Sequence, residues 1–380
     1  MEFFDIIIIG AGPAGLYLAC ELASSNQKIL ILDKKKNAED VQYDTSGSFI
    51  DPVKWNLPSS ILNPMNSVYF ASKNETTVKR AKAYIIKRER LLNLFEDRAK
   101  KNNNLKIEYK ATVTKVNLEK KRIKNIIYSK NNVEKNVSAK IFVDCSGISS
   151  VLGRKTGLSP SKPIIALGVE YLVPLKKGVD EYVLLMGSNF NGGYGWIFPV
   201  DSKTAIIGHG TLSEECFSEA KVRLQKMWDI DKVSEKCIFK PIEEHIGVLR
   251  TGKPLKRFTK NNLVIIGDSA LQANPLVGEG IRFVMDSAKI AAKHIKTSIK
   301  DNDLGLLKNY SREWKKKYYR KYKIAYMLQR IIKKYSSNDA KLDSGVRKLN
   351  NLSDHEFRRL LSGDLSYLFL FKIFLKSLIK

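Results

Sequence analysis

Three glycines near the N-terminus have the type and spacing of a phosphate-binding turn. Gly10-Ala11-Gly12-Pro13-Ala14-Gly15 follows Phe3–Ile9, an Ile-rich run that reads as a buried parallel strand. A helical pattern comes next (Leu16, Leu18, Ala19, Leu22, Ala23), then a second strand over Lys28–Leu32 that ends at Asp33. Gly10 permits the tight turn, Gly12 lets a pyrophosphate approach the backbone, and Gly15 lets helix and strand pack closely. The helix N-terminus faces the phosphates. Asp33 is placed to accept hydrogen bonds from a ribose hydroxyl. The order of strand, glycine turn, helix, strand and acid predicts a dinucleotide site formed by Gly10, Gly12, Pro13, Ala14, Gly15 and Asp33. No second GxGxxG occurs, so a separate nicotinamide domain is not expected.

Two distant segments narrow the cofactor. Residues 262–288 read NLVIIGDSALQANPLVGEGIRFVMDSA, and residues 141–154 read IFVDCSGISSVLGR. In the first, a strand ends at Gly267-Asp268, where a flavin ribityl hydroxyl can donate to the carboxylate. Pro275 through Gly280 would lie under an isoalloxazine ring. Gly278 and Gly280 allow close backbone approach, and the helix that follows offers N–H groups to the negative charge of a reduced flavin. Arg88 opens another helical pattern (Leu91, Leu92, Leu94, Phe95). Together with the N-terminal turn, these segments resemble the FAD-binding segments of flavoproteins related to aromatic hydroxylases. Residues 192–199, GGYGWIFP, resemble the substrate-domain motif of geranylgeranyl reductases, which saturate prenyl chains of archaeal lipids or chlorophyll precursors. The Asn-Pro-Leu…Gly-x-Gly-Ile run resembles that family too.

The resemblance covers roughly residues 1–300 and only weakly the tail. It implies FAD, with Arg88 near its phosphates, Val113 offering backbone to the adenine, and Gly267, Asp268, Pro275, Gly278, Glu279, Gly280 and Ile281 around the flavin. It implies a substrate path along Tyr194, Trp196, Phe198 and Pro199, and an external reductant, NADPH or ferredoxin. Two departures stand out. The reductases usually carry Cys-Gly in the loop after the second strand, whereas Asp44-Thr45-Ser46-Gly47-Ser48 has Ser46 there. Met285-Asp286-Ser287 stands where many reductases have Ser-Gly, and Asp286 is more hydroxylase-like.

The elements that must position these groups follow from the patterning. The expected class is α/β: a Rossmann-type FAD-binding domain with an inserted antiparallel-sheet substrate domain and a helical C-terminal tail. The FAD domain is expected over residues 1–60, 84–158 and 255–300, the substrate domain over 61–83 and 159–254, and the tail over 301–380. Short strands are expected at Ala166–Leu172, Tyr182–Met186, Gly195–Pro199 and Thr204–Gly208. Tyr194, Trp196 and Phe198 alternate, so they share one strand face. In the tail, Tyr310, Trp314, Tyr318, Tyr322 and Tyr326 recur every four residues, as a helix face packed on the FAD domain would require. Residues 365–380 read LSYLFLFKIFLKSLIK. There Lys372, Lys376 and Lys380 form a narrow polar stripe in an otherwise apolar helix, which predicts an interfacial helix with its lysines near lipid phosphates.

The whole chain has 380 residues with 66 Lys+Arg against 39 Asp+Glu, a net charge of +27. That suits a solvated basic surface, an anionic membrane, nucleic acid or phosphorylated substrates. An intact FAD site argues against a nucleic-acid-binding role. The four cysteines are scattered without a Cys-x-x-Cys pair, so no metal site is expected, and reduced thiols fit the cytosol. Glu2 and Asp5 are unlike a signal peptide, and no apolar run is long enough to span a bilayer. A cytoplasmic enzyme, peripheral on an anionic membrane surface and acting on an isoprenoid lipid, is the expectation.

Saturating an isolated alkene needs a hydride and a proton inside an apolar site. No catalytic residue is identified as the proton donor. His209 is expected to be a structural surface histidine, and Glu279 to lie at the flavin loop or in solvent. Two other enzyme classes remain open: a lycopene-cyclase-like enzyme acting on a polyene, and a flavin monooxygenase or halogenase.

Overall fold

The computed structural model describes residues 1–41, 45–176, 178–212 and 216–376, with backbone only for Thr45. In chain order the strands are β1 (Glu2–Ile9), β2 (Ile29–Leu32), β3 (Thr45–Ser48), β4 (Leu62–Ala71), β5 (Thr76–Lys87), β6 (Leu105–Glu108), β7 (Ala111–Glu119), β8 (Arg122–Lys130), β9 (Val133–Asp144), β10 (Ile164–Pro174), β11 (Glu181–Leu185), β12 (Tyr194–Pro199), β13 (Thr204–Thr211), β14 (Glu243–Thr251), β15 (Thr259–Lys260) and β16 (Leu263–Ile265). The α-helices are α1 (Pro13–Leu22), α2 (Arg88–Ala99), α3 (Val151–Lys155), α4 (Phe217–Gln225), α5 (Asp231–Ser234), α6 (Ile281–Lys300), α7 (Lys308–Trp314), α8 (Arg320–Lys334), α9 (Asp339–Leu349), α10 (Asp354–Leu361) and α11 (Tyr367–Lys376).

The first sheet runs β15-β16-β9-β1-β2-β6, and β7 and β8 join it through β9. β1 lies parallel between β2 and β9, with Ile6 opposite both Ile29 and Ile141. Ile6 through Ile9 are buried, as strands covered on both faces require. Helices α1 and α6 pack together on this sheet.

The second sheet runs β14-β10-β13-β12-β11-β4-β5-β3, antiparallel except for the parallel pair of β11 and β4. The four strands expected between residues 166 and 208 are all present. β3 and the end of β5 up to Lys87 pair here, so membership of this sheet crosses the boundaries expected at residues 60 and 84. Alternation gives the sheet two apolar faces. One packs Val169, Tyr171, Val183, Ile197 and Ile207 against Ala220 and Leu224 of α4. The other packs Tyr182, Leu184, Phe198 and Ile206 against Val346 of α9 and Phe357 and Leu361 of α10.

The tail stripe packs as its spacing predicts from Tyr310 to Tyr322, but Tyr326 is not part of that core. Tyr310, Trp314 and Tyr322 are buried in the core of the first sheet, with Tyr318 packed against it. A four-residue repeat would rotate about 40° per step around a regular α-helix. Lys315–Tyr319 instead forms a π-helical turn, whose wider winding keeps the aromatics together.

The terminal helix departs from expectation in its lysines. Lys376 and Lys372 pair with Glu356 of α10 at 2.7 and 3.4 Å, so both are drawn toward the protein, Lys372 from an exposed position. Lys380 lies outside the described residues. Glu356 is buried, and these ammonium groups with Ser353 hold its carboxyl down at about 2. The stripe turns inward because this acid is its partner. Tyr367, Leu368, Phe371, Phe374 and Leu375 are left exposed, Leu368 to 78%. Among the described residues no helix is long and apolar enough to cross a membrane.

Candidate functional site

The glycine turn joins β1 to α1, with Pro13 at the helix start, where a missing N–H costs nothing. Each glycine is required for a different reason. Gly10 has φ +105°, and a Cβ there would stand 2.3 Å from the Cys145 carbonyl oxygen. A Cβ on Gly15 would stand 1.9 Å from the Gly10 carbonyl oxygen, which explains the close crossing of helix and strand. A Cβ on Gly12 would meet nothing within 4 Å. Gly12 therefore opens onto an unfilled cradle at the start of α1, while its two partners are packed.

Asp33 ends β2 and folds back over this turn. Its carboxylate accepts the Ala11 N–H at 2.5 Å and the Lys35 N–H at 2.8 Å. Lone pairs remain for a ribose hydroxyl. Val113 lies on β7, beyond the point where the Ala111 N–H donates to the Asp33 carbonyl. Arg88 is the first residue of α2, and its charge acts on both Lys35 and Asp268. Asp268 is the second residue of the short turn after β16, and Gly267, which begins it, has φ +75°. Burial pushes the Asp268 carboxyl up to about 6, and Arg88 and Arg250 restrain the rise.

Asp144, at the end of β9, was missed from sequence. It is fully buried and accepts N–H bonds from Leu152 and Gly153 at the start of α3. It also holds Ser146 and the Ser269 hydroxyl, at 2.6 and 3.0 Å, tying the two FAD-type segments together. An acid ending an apolar strand before Ser-Gly was the available signal.

The loop from Asn274 to Gly280 leads into α6, the longest helix. Asn274 shapes it by accepting the Leu276 N–H, and its backbone exchanges bonds with Gly278 and Glu279. Gly278 has φ +66°. Contacts from three directions pin the loop. Tyr194 donates to the Val277 carbonyl at 2.5 Å, Gln329 of α8 donates to the Pro275 carbonyl, and just ahead of the loop Tyr322 donates to the Gln272 carbonyl at 2.5 Å. Tyr322 was expected only as packing, and Gln329 was not foreseen.

Glu279 is buried rather than solvated. Ser48 of β3 donates to it, and Arg282 pairs with it at 2.9 Å. The two-residue period sets Ser46, which replaces the expected cysteine, on the same face of β3 as Ser48. Asp44 lies outside the described residues. Asp286 is buried against Lys317 and the Tyr318 hydroxyl, so here it anchors the tail.

Tyr194, Trp196 and Phe198 share one face of β12. Tyr194 and Trp196 are 5.8 Å apart, and Trp196 and Phe198 stack at 5.9 Å. Phe198 and Pro199 are buried, whereas Tyr194 and Trp196 are half-buried beside the loop. Burial and the Glu279 charge push the Tyr194 hydroxyl up, so it stays protonated. His209 is corrected: it is fully buried, on the opposite face of β13, with Nε2 2.8 Å from the Ala220 carbonyl of α4. Alternation along β13 turns it toward α4, away from Trp196. No group of metal-ligating residues occurs among the described residues.

These groups fit FAD. The Gly12 cradle suits a pyrophosphate, Asp33 a ribose, Asp268 a ribityl chain, and the start of α6 an electron-rich ring. The chain is 26% identical over 353 residues to digeranylgeranylglycerophospholipid reductase 2 of Methanopyrus kandleri, covering 88% of each protein. Its fold matches a geranylgeranyl bacteriochlorophyll reductase-like structure from Thermoplasma acidophilum with TM-score 0.87 and 20% identity, covering 99% of this chain and 97% of that one. It also matches a flavin-dependent brominase variant with TM-score 0.76 and 16% identity over 99% of both chains, so the fold is shared across flavin chemistries. The family model described as lycopene cyclase protein matches residues 5–378, and the chain belongs to that family.

Proposed function

We propose that this FAD-dependent oxidoreductase is a reductase that saturates prenyl double bonds of an isoprenoid lipid at a membrane surface. The observation that carries the reading is the bond from Tyr194 to the Val277 carbonyl. It sets the aromatic face of β12 directly against the loop that would hold the flavin. Reduced FAD supplies hydride when bound, drawing on NADPH or a ferredoxin. The chain's own residues do the rest. The Gly12 turn, Asp33, Arg88 and Asp268 bind and orient the cofactor. Tyr194 and Trp196 offer an apolar wall on which an extended prenyl chain can lie and from which water is excluded. The name of the Methanopyrus kandleri relative supports a geranylgeranyl lipid as substrate class.

The outward face of α11 supports approach to lipid. Its exposed Leu and Phe side chains would each gain about 1.5–3 kcal/mol if fully buried. The tail's 19 Lys+Arg against 8 Asp+Glu add attraction to anionic headgroups.

Anaerobic incubation of dithionite-reduced protein with geranylgeranyl lipids, followed by mass spectrometry, tests the reading. Products heavier by two hydrogens per bond are expected. Cyclisation of a polyene without added hydrogen would transfer the protein to the cyclase reading that the family description favours.

A further inference from the structure

An alkene reduction consumes a proton as well as a hydride, and the wall that carries Trp196 holds a chain of proton-carrying groups. Strand register places Trp196 of β12, Gly208 of β13, Glu170 of β10 and His245 of β14 in one row. Directly opposed residues share a sheet face. The row therefore lies on the face of Tyr194, toward the flavin loop.

Gly208 makes the row possible. A Cβ there would stand 2.6 Å from Glu170 Cβ and 2.7 Å from the Trp196 ring. Without it the indole crosses β13, and Trp196 Nε1–H donates to Glu170 Oε2 at 3.2 Å. Glu170 Oε1 lies 3.4 Å from His245 Nδ1, and His245 Nε2 lies 2.9 Å from Glu243 Oε2. Side-chain exposure falls from 54% at Glu243 to 13% at His245 and 11% at Glu170. The chain thus runs from solvent to the buried wall. Glu170 Oε1 and His245 Nδ1 are both buried, and neither has a hydrogen-bond partner among the described residues.

The next row toward the loop is Tyr194, Gly210, Gly168 and Gly247. The indole covers Gly210 and Gly168, within 4 Å of the positions their Cβ atoms would take. Two residues along a strand span about 6.7 Å, so Glu170 stands about that far along the wall from the Tyr194 row.

We propose that Glu170 and His245 deliver the proton to the prenyl double bond, with Glu243 as their port to solvent. This rests on the reductase reading. In the step, one alkene carbon takes a hydride from the reduced flavin, which is oxidised by two electrons. The other carbon takes a proton from the Glu170 carboxyl group. The π bond is replaced by two C–H bonds. Glu170 receives its proton from His245, and His245 is reprotonated past Glu243, so the pair ends at its starting charge. The Glu170 carboxylate beside it, then the hydrogen bond with Glu243, raises the proton affinity of His245 above its ordinary value, against the opposing effect of burial. Glu244, on the other face of β14, is occupied by Lys221 at 2.6 Å.

The test uses the full-length, FAD-loaded protein and its Glu170→Gln and His245→Gln variants. Without substrate, Trp196 reports on the pair. Wild-type fluorescence is expected to titrate in one step above pH 6.5. The step should vanish in His245→Gln and in Trp196→Phe. With geranylgeranyl lipid, Glu170→Gln should lower kcat about 100-fold, with KM, FAD content and flavin reduction unchanged. The wild-type rate should fall as pH rises through the same step, and His245→Gln should lose that limb. Variants that keep the wild-type kcat and pH profile overturn the proposal, as does a wild-type titration with no step dependent on His245. A wild-type protein that hydrogenates no prenyl lipid overturns the reductase reading, and this inference falls with it.

Discussion

The cofactor turn and the β12 wall are built from different materials. At the turn, backbone does the work: Gly10 and Gly15 are filled by neighbouring carbonyls, and Gly12 faces open space. At the wall, side chains from four strands meet, and glycine serves only to let an indole cross, as at Gly208. The turn is local, within six residues of chain. The wall draws Trp196 and Glu170 together from positions 26 apart. A backbone-built site tolerates almost no substitution, whereas a side-chain-built site can be retuned one residue at a time.

Substitutions at the two regions should separate binding from turnover. The largest effect is expected within the turn itself. Gly15→Ala places a methyl 1.9 Å from a carbonyl oxygen and should cost about 4 kcal/mol or more, read as lost cooperative unfolding. Gly12→Val should keep the fold and lose FAD, because its side chain fills only the cradle. A purified Gly12→Val protein with full yellow absorbance would break the distinction.

At the wall, Trp196→Ala should retain FAD and slow turnover of long-chain substrates by an order of magnitude or more, on the order of 1.4 kcal/mol in the barrier. Short prenyl substrates should suffer less. An equal loss for both would show that the indole acts on the flavin end rather than along the chain path.

The smallest effect is expected where neither cofactor nor wall is touched. Replacing Leu368 and Phe371 on the outer face of α11 by Glu should reduce flotation with anionic liposomes while FAD content and thermal unfolding stay unchanged. High salt should weaken wild-type flotation only partly, because the apolar share is not screened. Flotation equal to wild type would place the lipid contact elsewhere.

Local physics made the turn legible. The strand, the glycine spacing and Asp33 lie within one supersecondary unit, where each residue's role follows from steric limits. The aromatic stripe of the tail was legible as packing for the same reason. The loop's grip by Gln329, the burial of Glu279 beneath Ser48, and the inward turn of Lys372 and Lys376 were not. Each depends on a partner in another element: Ser48 and Glu279 lie 231 positions apart. His209 shows the same limit in a single residue, since only the packing of α4 against its face of β13 buries it.

The sequence by itself determined the strands that flank the glycine turn, the turn itself and the shared face of Tyr194, Trp196 and Phe198, because dihedral sterics and two-residue alternation act over a few neighbours. Only the tertiary structure decided which chains of groups those faces complete. Register across β12, β13, β10 and β14 brings Trp196, Glu170 and His245 together, and hydrogen bonding between strands distant in sequence sets that register.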